Sequence, residues 1–198
     1  NDIESPCHCS GNYCRSTAEF AGYIFVHLLT VTQYNSWVES NHSKQRITPT
    51  MSRFSYQDAD YAIREDIKQA HRDYWQKLAT PGNWWTGAER VAIAAETRNA
   101  LSCSFCGIRK AALSPNSVSG THDSNSNLPT AAIDAVHRII TDQGRITQVF
   151  VDQLVANGIS NEAYVELAGV VVNTFSVDEF SRALGLALEP LPEPETGA

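Results

Sequence analysis

Residues 86–110 read TGAERVAIAAETRNALSCSFCGIRK and contain the strongest helix signal and the only closely spaced cysteine pair of the helical part of the chain. The stretch opens with Thr86 and Glu89 at the spacing of a capping box, in which the threonine side chain accepts from a free helix amide and the glutamate reaches back. Small and apolar residues follow at helical spacing. The stretch therefore predicts a helix that begins directly after Thr86 and reaches Cys103 and Cys106 at or just before its end.

The cysteine pair Cys103 and Cys106 suits redox chemistry or half of a metal site. If the helix continues through the pair, Glu96 and Lys110 share one face with it. If instead the helix breaks and Ser102 caps a new one, both cysteines lie in a first turn, where the helix dipole and the free amides favour a thiolate. Packing of small buried side chains is the structural alternative to both.

Apolar residues at helical spacing predict further helices on both sides of this stretch. Upstream, the pattern begins at Ala59 and ends near Pro81. Downstream, a long loop over Ser114 to Asn127 precedes a helix from Pro129, and a further helix follows that Gly158 terminates.

The C-terminal part of the chain is also predicted to be helical. Asn161 to Phe175 is apolar on most sides, which indicates a buried helix or, as the alternative, a strand over Val170 to Val172. A second capping box, Ser176 to Glu179, predicts a separate last helix that ends near Gly185. The tail from Glu189 carries three prolines and should be extended or mobile. The predicted fold class is all-α.

The first fifty residues differ in character from the rest. Residues 1–50 show no sustained helical or strand period, which predicts an irregular N-terminal extension to a helical domain over residues 51–198. Met51 is the only methionine. One hypothesis is that the natural protein begins there, and that the extension is not native or is poorly ordered.

Composition narrows the classes of partner. The 198 residues carry 15 Lys plus Arg against 22 Asp plus Glu, a formal net charge of -7, and no basic cluster stands out. Nucleic acid is therefore not an expected partner. The longest apolar stretch, Phe20 to Val31, is interrupted by His27 and is shorter than the roughly 20 residues that span a bilayer, so no membrane partner is expected either. Five unevenly spaced cysteines argue against a secreted disulfide framework and predict a cytoplasmic protein.

A metal site is an alternative use of the cysteine pair. The donors of a tetrahedral zinc site are present in Cys103, Cys106, His122 and His137. The histidines lack the spacing of a zinc finger, so no metal is predicted. By default His137 is a core histidine at the border of an apolar stripe, and His122 is a solvent-facing loop residue. The cluster Cys7-His8-Cys9 with Cys14 resembles a set of metal ligands, but it lies in an unpatterned segment.

The runs Trp85 to Glu96 and Cys103-Ser-Phe-Cys106 resemble the core helix pair of the alkylhydroperoxidase D and carboxymuconolactone decarboxylase family. Ala135 to Asp142, Tyr164 to Val172 and Leu191 to Pro194 resemble a longer branch of it. The resemblance covers about residue 51 to the C-terminus. It implies an all-α bundle that assembles as a homo-oligomer, and a thiol peroxidase whose cysteines cycle between dithiol and disulfide without a bound cofactor.

Two positions depart from the family's redox pattern. That pattern has a histidine four residues after the second cysteine and a glutamate about a dozen before the first, which together relay a proton. Here those positions hold Lys110 and Val91. We expect Glu96 and His137 to replace the relay, and the resemblance slightly favours Cys106 as the attacking thiol.

The expected function is a thiol-dependent reductase of alkyl hydroperoxides, with a small peroxide as substrate and a thiol or protein as reductant. The residues expected to carry it are Cys103, Cys106, Glu96 and His137. Carboxymuconolactone decarboxylation, the family's other activity, does not require a dithiol. The alternative from another class is a non-catalytic oligomeric helical module whose cysteines are structural or bind zinc.

Overall fold

A computed structural model describes residues 53–195, and this part of the chain is helical without a strand. Its α-helices are α1 (Glu65–Ala79), α2 (Gly87–Ala100), α3 (Ser104–Ala111), α4 (Thr130–Thr141), α5 (Gln148–Ala156) and α6 (Asn161–Ala183). The all-α class is thus confirmed for these residues. The predicted extension over residues 1–50, the start at Met51 and the cluster at Cys7, His8, Cys9 and Cys14 lie outside the described residues.

Three helices form the centre of the described domain. Helices α2, α4 and α6 pack against one another in pairs, α1 packs on α2 and α6, and α3 packs on α4. The centre of the interface between these three helices is apolar and buried, and it is formed by Ile93, Ala94, Ala132, Val136, Leu167 and Val171. Burial of each large aliphatic side chain contributes about 1.5–3 kcal/mol to folding. Packing therefore fixes α2 and α4 relative to each other, and these are the helices that carry Glu96 and His137.

The predicted start of α2 is confirmed. The Thr86 side chain accepts from the Glu89 amide at 3.2 Å, and Glu89 Oε2 accepts from the Thr86 amide at 2.8 Å. Position 87 requires glycine, because a Cβ there would lie 2.2 Å from the carbonyl oxygen of Ala79. The end of α1 and the start of α2 can therefore approach this closely only with glycine at position 87.

Two predicted boundaries were wrong. Helix α1 begins at Glu65 rather than at Ala59, since Arg64 has extended backbone angles and the acidic side chains that suit a helix N-terminus lie in the turn after it. The separate last helix does not exist, because α6 runs without a break from Asn161 to Ala183. Asp178 of the presumed capping box instead pairs with Arg98 of α2, at 2.8 Å to each of two guanidinium nitrogens.

The alternative strand over Val170 to Val172 is also wrong, since these residues lie inside α6. The loop predicted over Ser114 to Asn127 is confirmed, with only a 3-10 turn at Pro115–Ser117. Gly158 has a φ of 88° and follows α5, as its predicted role as a terminator requires.

The C-terminal tail has no regular secondary structure as far as residue 195, and it is bound to the helices. Trp75 Nε1 donates to the carbonyl oxygen of Pro190 at 2.8 Å, and Arg98 Nη2 donates to that of Glu189 at 2.9 Å. The amide of Glu195 donates to the carbonyl oxygen of Ala79 at 2.9 Å. Among the helices of residues 53–195, none is both long and apolar enough to cross a membrane.

Candidate functional site

The cysteine pair lies at a break between two helices. Helix α2 ends at Ala100 and α3 begins at Ser104, so the continuous-helix alternative is wrong and the alternative of a new helix is confirmed. Cys103, rather than Ser102, is its N-cap residue. Cys106 lies in its first turn, where the helix dipole and the amides that lack intrahelical partners favour a negative charge on sulfur.

Helix α3 is held at both ends by residues from elsewhere. At its N-terminus, Asp123 Oδ2 of the long loop accepts from the amide and the hydroxyl of Ser104 at 2.8 and 2.7 Å. At its C-terminus, the Arg145 guanidinium donates to the last carbonyl oxygens at 2.8 to 3.1 Å. These contacts give hydrogen-bond partners to terminal amide and carbonyl groups that have none within the eight-residue helix. They thereby fix the positions of the two cysteines.

The first partner of Cys106 is a histidine on α4. His137 Nδ1 lies 3.2 Å from Cys106 Sγ, and His137 Nε2 lies 2.6 Å from Glu96 Oε1 on α2. His137 is completely buried, and Glu96 and Cys106 are nearly so. We call Glu96 and His137 the helical arm. The histidine therefore has a polar partner on each side, which the default interpretation as a core histidine did not predict.

Glu96 has further donors around it. Its carboxylate accepts from Asn99 Nδ2 at 3.1 Å and from the Ser124 hydroxyl at 2.8 Å. Burial alone would raise the pKa of Glu96, but hydrogen bonds from His137, Asn99, Ser124 and Ser126 outweigh it and hold the pKa below its ordinary value. Glu96 is thus a carboxylate, and it favours a proton on the facing nitrogen of His137.

A second histidine approaches the pair from the loop. His122 Nδ1 lies 3.4 Å from Cys106 Sγ and 3.7 Å from Cys103 Sγ, and its Nε2 lies 2.9 Å from Asp134 Oδ1 on α4. We call His122 and Asp134 the loop arm. The prediction that His122 faces solvent was wrong, since its side chain is only 7% exposed. The one local signal was its neighbour Asp123, which caps α3 and so draws this part of the loop onto the site.

Arginines surround the carboxylate of the loop arm. Asp134 forms an ion pair with Arg109 Nη1, and Arg138 Nε lies 3.9 Å from its other oxygen. Burial would raise the pKa of Asp134, but the hydrogen bonds from His122 and Arg109 and the two positive charges lower it to about 2. Burial would likewise lower the pKa of His122, but Asp134 and the two sulfurs raise it to about 10, so the imidazolium is favoured.

These contacts act on the Cys106 thiol. Burial alone would raise its pKa, but hydrogen bonds with His122, His137 and Thr141 outweigh burial and lower the pKa to about 5. Arg109 Nη2 lies 3.9 Å from the same sulfur and adds positive charge. The Cys106 thiolate is therefore the favoured form at neutral pH, the state that a nucleophilic or metal-binding cysteine requires.

The structure separates the other candidate residues from the site. Lys110, which takes the place of the family's histidine, is exposed, and Val91 packs against the core. His71 of α1 forms a hydrogen bond with the Tyr56 hydroxyl at 2.6 Å and packs against the rings of Tyr56 and Phe180. The set that comes together is Glu96, Cys103, Cys106, His122, Asp134 and His137. Its two sulfurs and the two Nδ1 atoms lie within 4.8 Å of one another, so these four donors could also hold a metal.

Comparison of the chain with protein-family models, with curated proteins and with solved structures finds no match. The resemblance to the alkylhydroperoxidase D and carboxymuconolactone decarboxylase family therefore stays a prediction, and the chemistry of the site is argued from its own geometry.

Proposed function

We propose that this protein is a thiol-dependent hydroperoxide reductase that cycles Cys103 and Cys106 between dithiol and disulfide. The observation that carries the proposal is the 3.2 Å contact between Cys106 Sγ and His137 Nδ1, with Nε2 of the same ring 2.6 Å from Glu96. A nucleophile in contact with a base that is oriented by a third group is the arrangement that activates a thiol. Glu96 and His137 thus take the place of the relay that the family builds from other positions.

In the first step, the Cys106 thiolate attacks the terminal oxygen of a hydroperoxide ROOH. The O–O bond breaks, Cys106 becomes a sulfenic acid, and the leaving alkoxide takes a proton to give the alcohol ROH. The proton that left the Cys106 thiol is held on His137, which is the nearest group to return it. Glu96 stabilises the imidazolium that forms in the meantime.

In the second step, the Cys103 thiol condenses with the Cys106 sulfenic acid. A disulfide forms and one water leaves. The two sulfurs lie within 4.8 Å of each other and are separated by two residues at the start of α3, so the bond requires only local movement. Two electrons from an external thiol or protein reductant then restore the dithiol. Both cysteines are buried, which favours a small peroxide as substrate.

We further propose, from the resemblance, a helical bundle of the alkylhydroperoxidase D type that assembles as a homo-oligomer in the cytoplasm. Large apolar side chains that remain exposed in the described chain, among them Leu101, Ile108 and Leu113, support an assembly. Light scattering coupled to gel filtration measures its mass. A monomer at micromolar concentration would contradict this part of the proposal.

Peroxide-dependent disulfide formation tests the function. The full chain is used with Cys7→Ser, Cys9→Ser and Cys14→Ser, which leave Cys103 and Cys106 as its only cysteines. The protein is reduced, treated with a chelator and mixed with one equivalent of hydrogen peroxide or cumene hydroperoxide. We expect rapid loss of both thiols and, by peptide mapping, a bond between Cys103 and Cys106.

Single serine variants separate the two thiols. Cys103→Ser should react with peroxide once and accumulate a sulfenic acid at Cys106 that dimedone traps. Cys106→Ser should react no faster than a free thiol in solution. Equal rates in the two variants, or thiols that stay reduced in the parent, would contradict the proposal.

A further inference from the structure

We propose that the reduced site also binds one Zn²⁺ per chain, through Cys103 Sγ, Cys106 Sγ, His122 Nδ1 and His137 Nδ1. The binding is a property of the dithiol form and does not depend on the peroxide chemistry. It would hold even if the protein reduced no peroxide.

The first argument is the spacing of the donors. Zinc lies about 2.3 Å from sulfur and about 2.0–2.1 Å from nitrogen in tetrahedral protein sites, so the sulfur–nitrogen edges of such a tetrahedron are roughly 3.5 Å long. The recorded edges are 3.2 Å from Cys106 to His137, 3.4 Å from Cys106 to His122 and 3.7 Å from Cys103 to His122. All four donor atoms lie within 4.8 Å of one another. Small shifts of side chains suffice to place an ion between them.

The second argument is the orientation of the histidine rings. Both rings turn Nδ1 toward the sulfurs, and each Nε2 faces a carboxylate: Glu96 at 2.6 Å for His137 and Asp134 at 2.9 Å for His122. A carboxylate that accepts from the far nitrogen is the usual support of a zinc-bound histidine, because it leaves the near nitrogen with a free lone pair. Neither contact was required by sequence neighbourhood, since the partners lie 41 and 12 residues apart.

The third argument is the charge balance and the rigidity of the site. Two thiolates neutralise the ion. On binding, each thiol that is still protonated releases its proton to solvent, and the His122 imidazolium releases the proton on Nδ1 so that this nitrogen can bind. The donors lie on α3, α4 and the long loop, and α3 is held at both ends by Asp123 and Arg145. A disulfide between Cys103 and Cys106 removes both anionic ligands, so oxidation should release the ion.

Cobalt substitution tests the site without any peroxide. The full chain with Cys7→Ser, Cys9→Ser and Cys14→Ser is reduced with a phosphine, stripped of metal and titrated with Co²⁺. We expect saturation at one Co²⁺ per chain, with the thiolate-to-cobalt absorption and the intense visible bands of a tetrahedral site, and complete displacement by Zn²⁺.

Variants assign the ligands and their supports. His122→Ala and Cys103→Ser should each abolish the tetrahedral spectrum. Glu96→Gln and Asp134→Asn should keep it but weaken Zn²⁺ binding by about 10-fold to 100-fold. Asp152→Asn, a substitution on the exposed side of α5, is the matched control and should leave the affinity unchanged.

Absence of Co²⁺ and Zn²⁺ binding in the reduced protein would overturn the proposal, and so would binding that His122→Ala leaves undiminished. Prior oxidation to the disulfide should abolish the spectrum. Because this titration contains no peroxide and the disulfide assay contains no metal, the two proposals can fail independently.

Discussion

The two arms of the site perform the same local task by different means. Each places Nδ1 of a histidine against Cys106 and holds the opposite nitrogen with a carboxylate. The helical arm consists of Glu96 and His137 on α2 and α4, whose packing is apolar and dense. The loop arm brings His122 from a segment without regular structure onto Asp134 of α4.

The difference lies in what each arm contacts. The helical arm contacts Cys106 alone of the two cysteines, and its histidine has a carboxylate on the opposite nitrogen, which suits a group that accepts and returns one proton. The loop arm contacts both sulfurs and is tied to Arg109, which suits a fixed positive charge. Under the proposed function, His137 would transfer the proton and His122 would stabilise the thiolate.

Removal of the base of the helical arm should have the largest effect. His137→Ala should lower peroxide turnover by about 10²–10⁴-fold, the usual contribution of a positioned general base. It also leaves Glu96 buried without one partner, at a cost of about 1–3 kcal/mol in the free energy of unfolding. Steady-state peroxide consumption and urea denaturation measure the two quantities. Leu154→Ala on α5, a core substitution outside the helices that carry Glu96 and His137, should lower stability while turnover is kept. If both variants lost turnover and stability in the same proportion, His137 would be a core residue without a catalytic role.

Neutralising the carboxylate of the helical arm should have a smaller effect. Glu96→Gln keeps an oxygen that can accept from His137 but removes the charge that stabilises the imidazolium. Hydrogen bonds to charged groups contribute about 1.5–3 kcal/mol, which corresponds to roughly 10-fold to 100-fold in rate. The expected loss appears in turnover of saturating peroxide. A variant with wild-type turnover would show that Glu96 only packs.

The loop arm should control the pH at which Cys106 reacts. Alkylation by iodoacetamide needs the thiolate, so in chelator-treated protein the rate should be constant at neutral pH and fall as the pH drops through about 5. In His122→Ala a hydrogen-bond donor to the thiolate is lost, so the midpoint should move upward toward that of an ordinary thiol. Cys103→Ser in the background makes the measurement specific to Cys106. An unchanged midpoint would assign the low thiol pKa to the helical arm alone.

The cap of α2, which belongs to neither arm, should give the smallest effect. Thr86→Ala removes the acceptor for the Glu89 amide and should cost about 1 kcal/mol of stability. The alkylation midpoint of Cys106 should not change, because the cap lies at the N-terminus of α2 and Glu96 lies near its C-terminus. Urea denaturation and the iodoacetamide profile test the two halves of this expectation. A shifted midpoint would show that the position of α2 tunes the thiol.

Local patterns predicted the parts of the fold that depend on local contacts. The box at Thr86 and Glu89 fixed the start of α2, and Gly158 marked the end of α5, because caps and terminators act within one helical turn. The same local logic failed at Ser176 to Glu179. There Asp178 forms an ion pair with Arg98, which lies 80 residues away, and α6 continues through the segment.

The candidate site divides in the same way. Helical phase and the resemblance named Glu96, Cys103, Cys106 and His137, and the structure brings these four together; their catalytic role stays a prediction. The prediction for His122 failed because its contact with Asp134 on α4 joins two elements whose relative position the sequence does not show. A loop side chain has no period from which its direction can be inferred.

Sequence patterns predicted a helical chain with a dithiol near a helix end, because periodicity, capping and turn residues act between neighbours, and they left open whether the helix continues through the pair. The surroundings of the dithiol depend on packing between distant segments. Two histidines, two carboxylates and an arginine from separate elements converge on it, and their effect on the Cys106 pKa depends on distances that packing alone sets. Electrostatic and hydrogen-bond energies depend on distance in space. The sequence does not show that distance for residues that lie tens of positions apart.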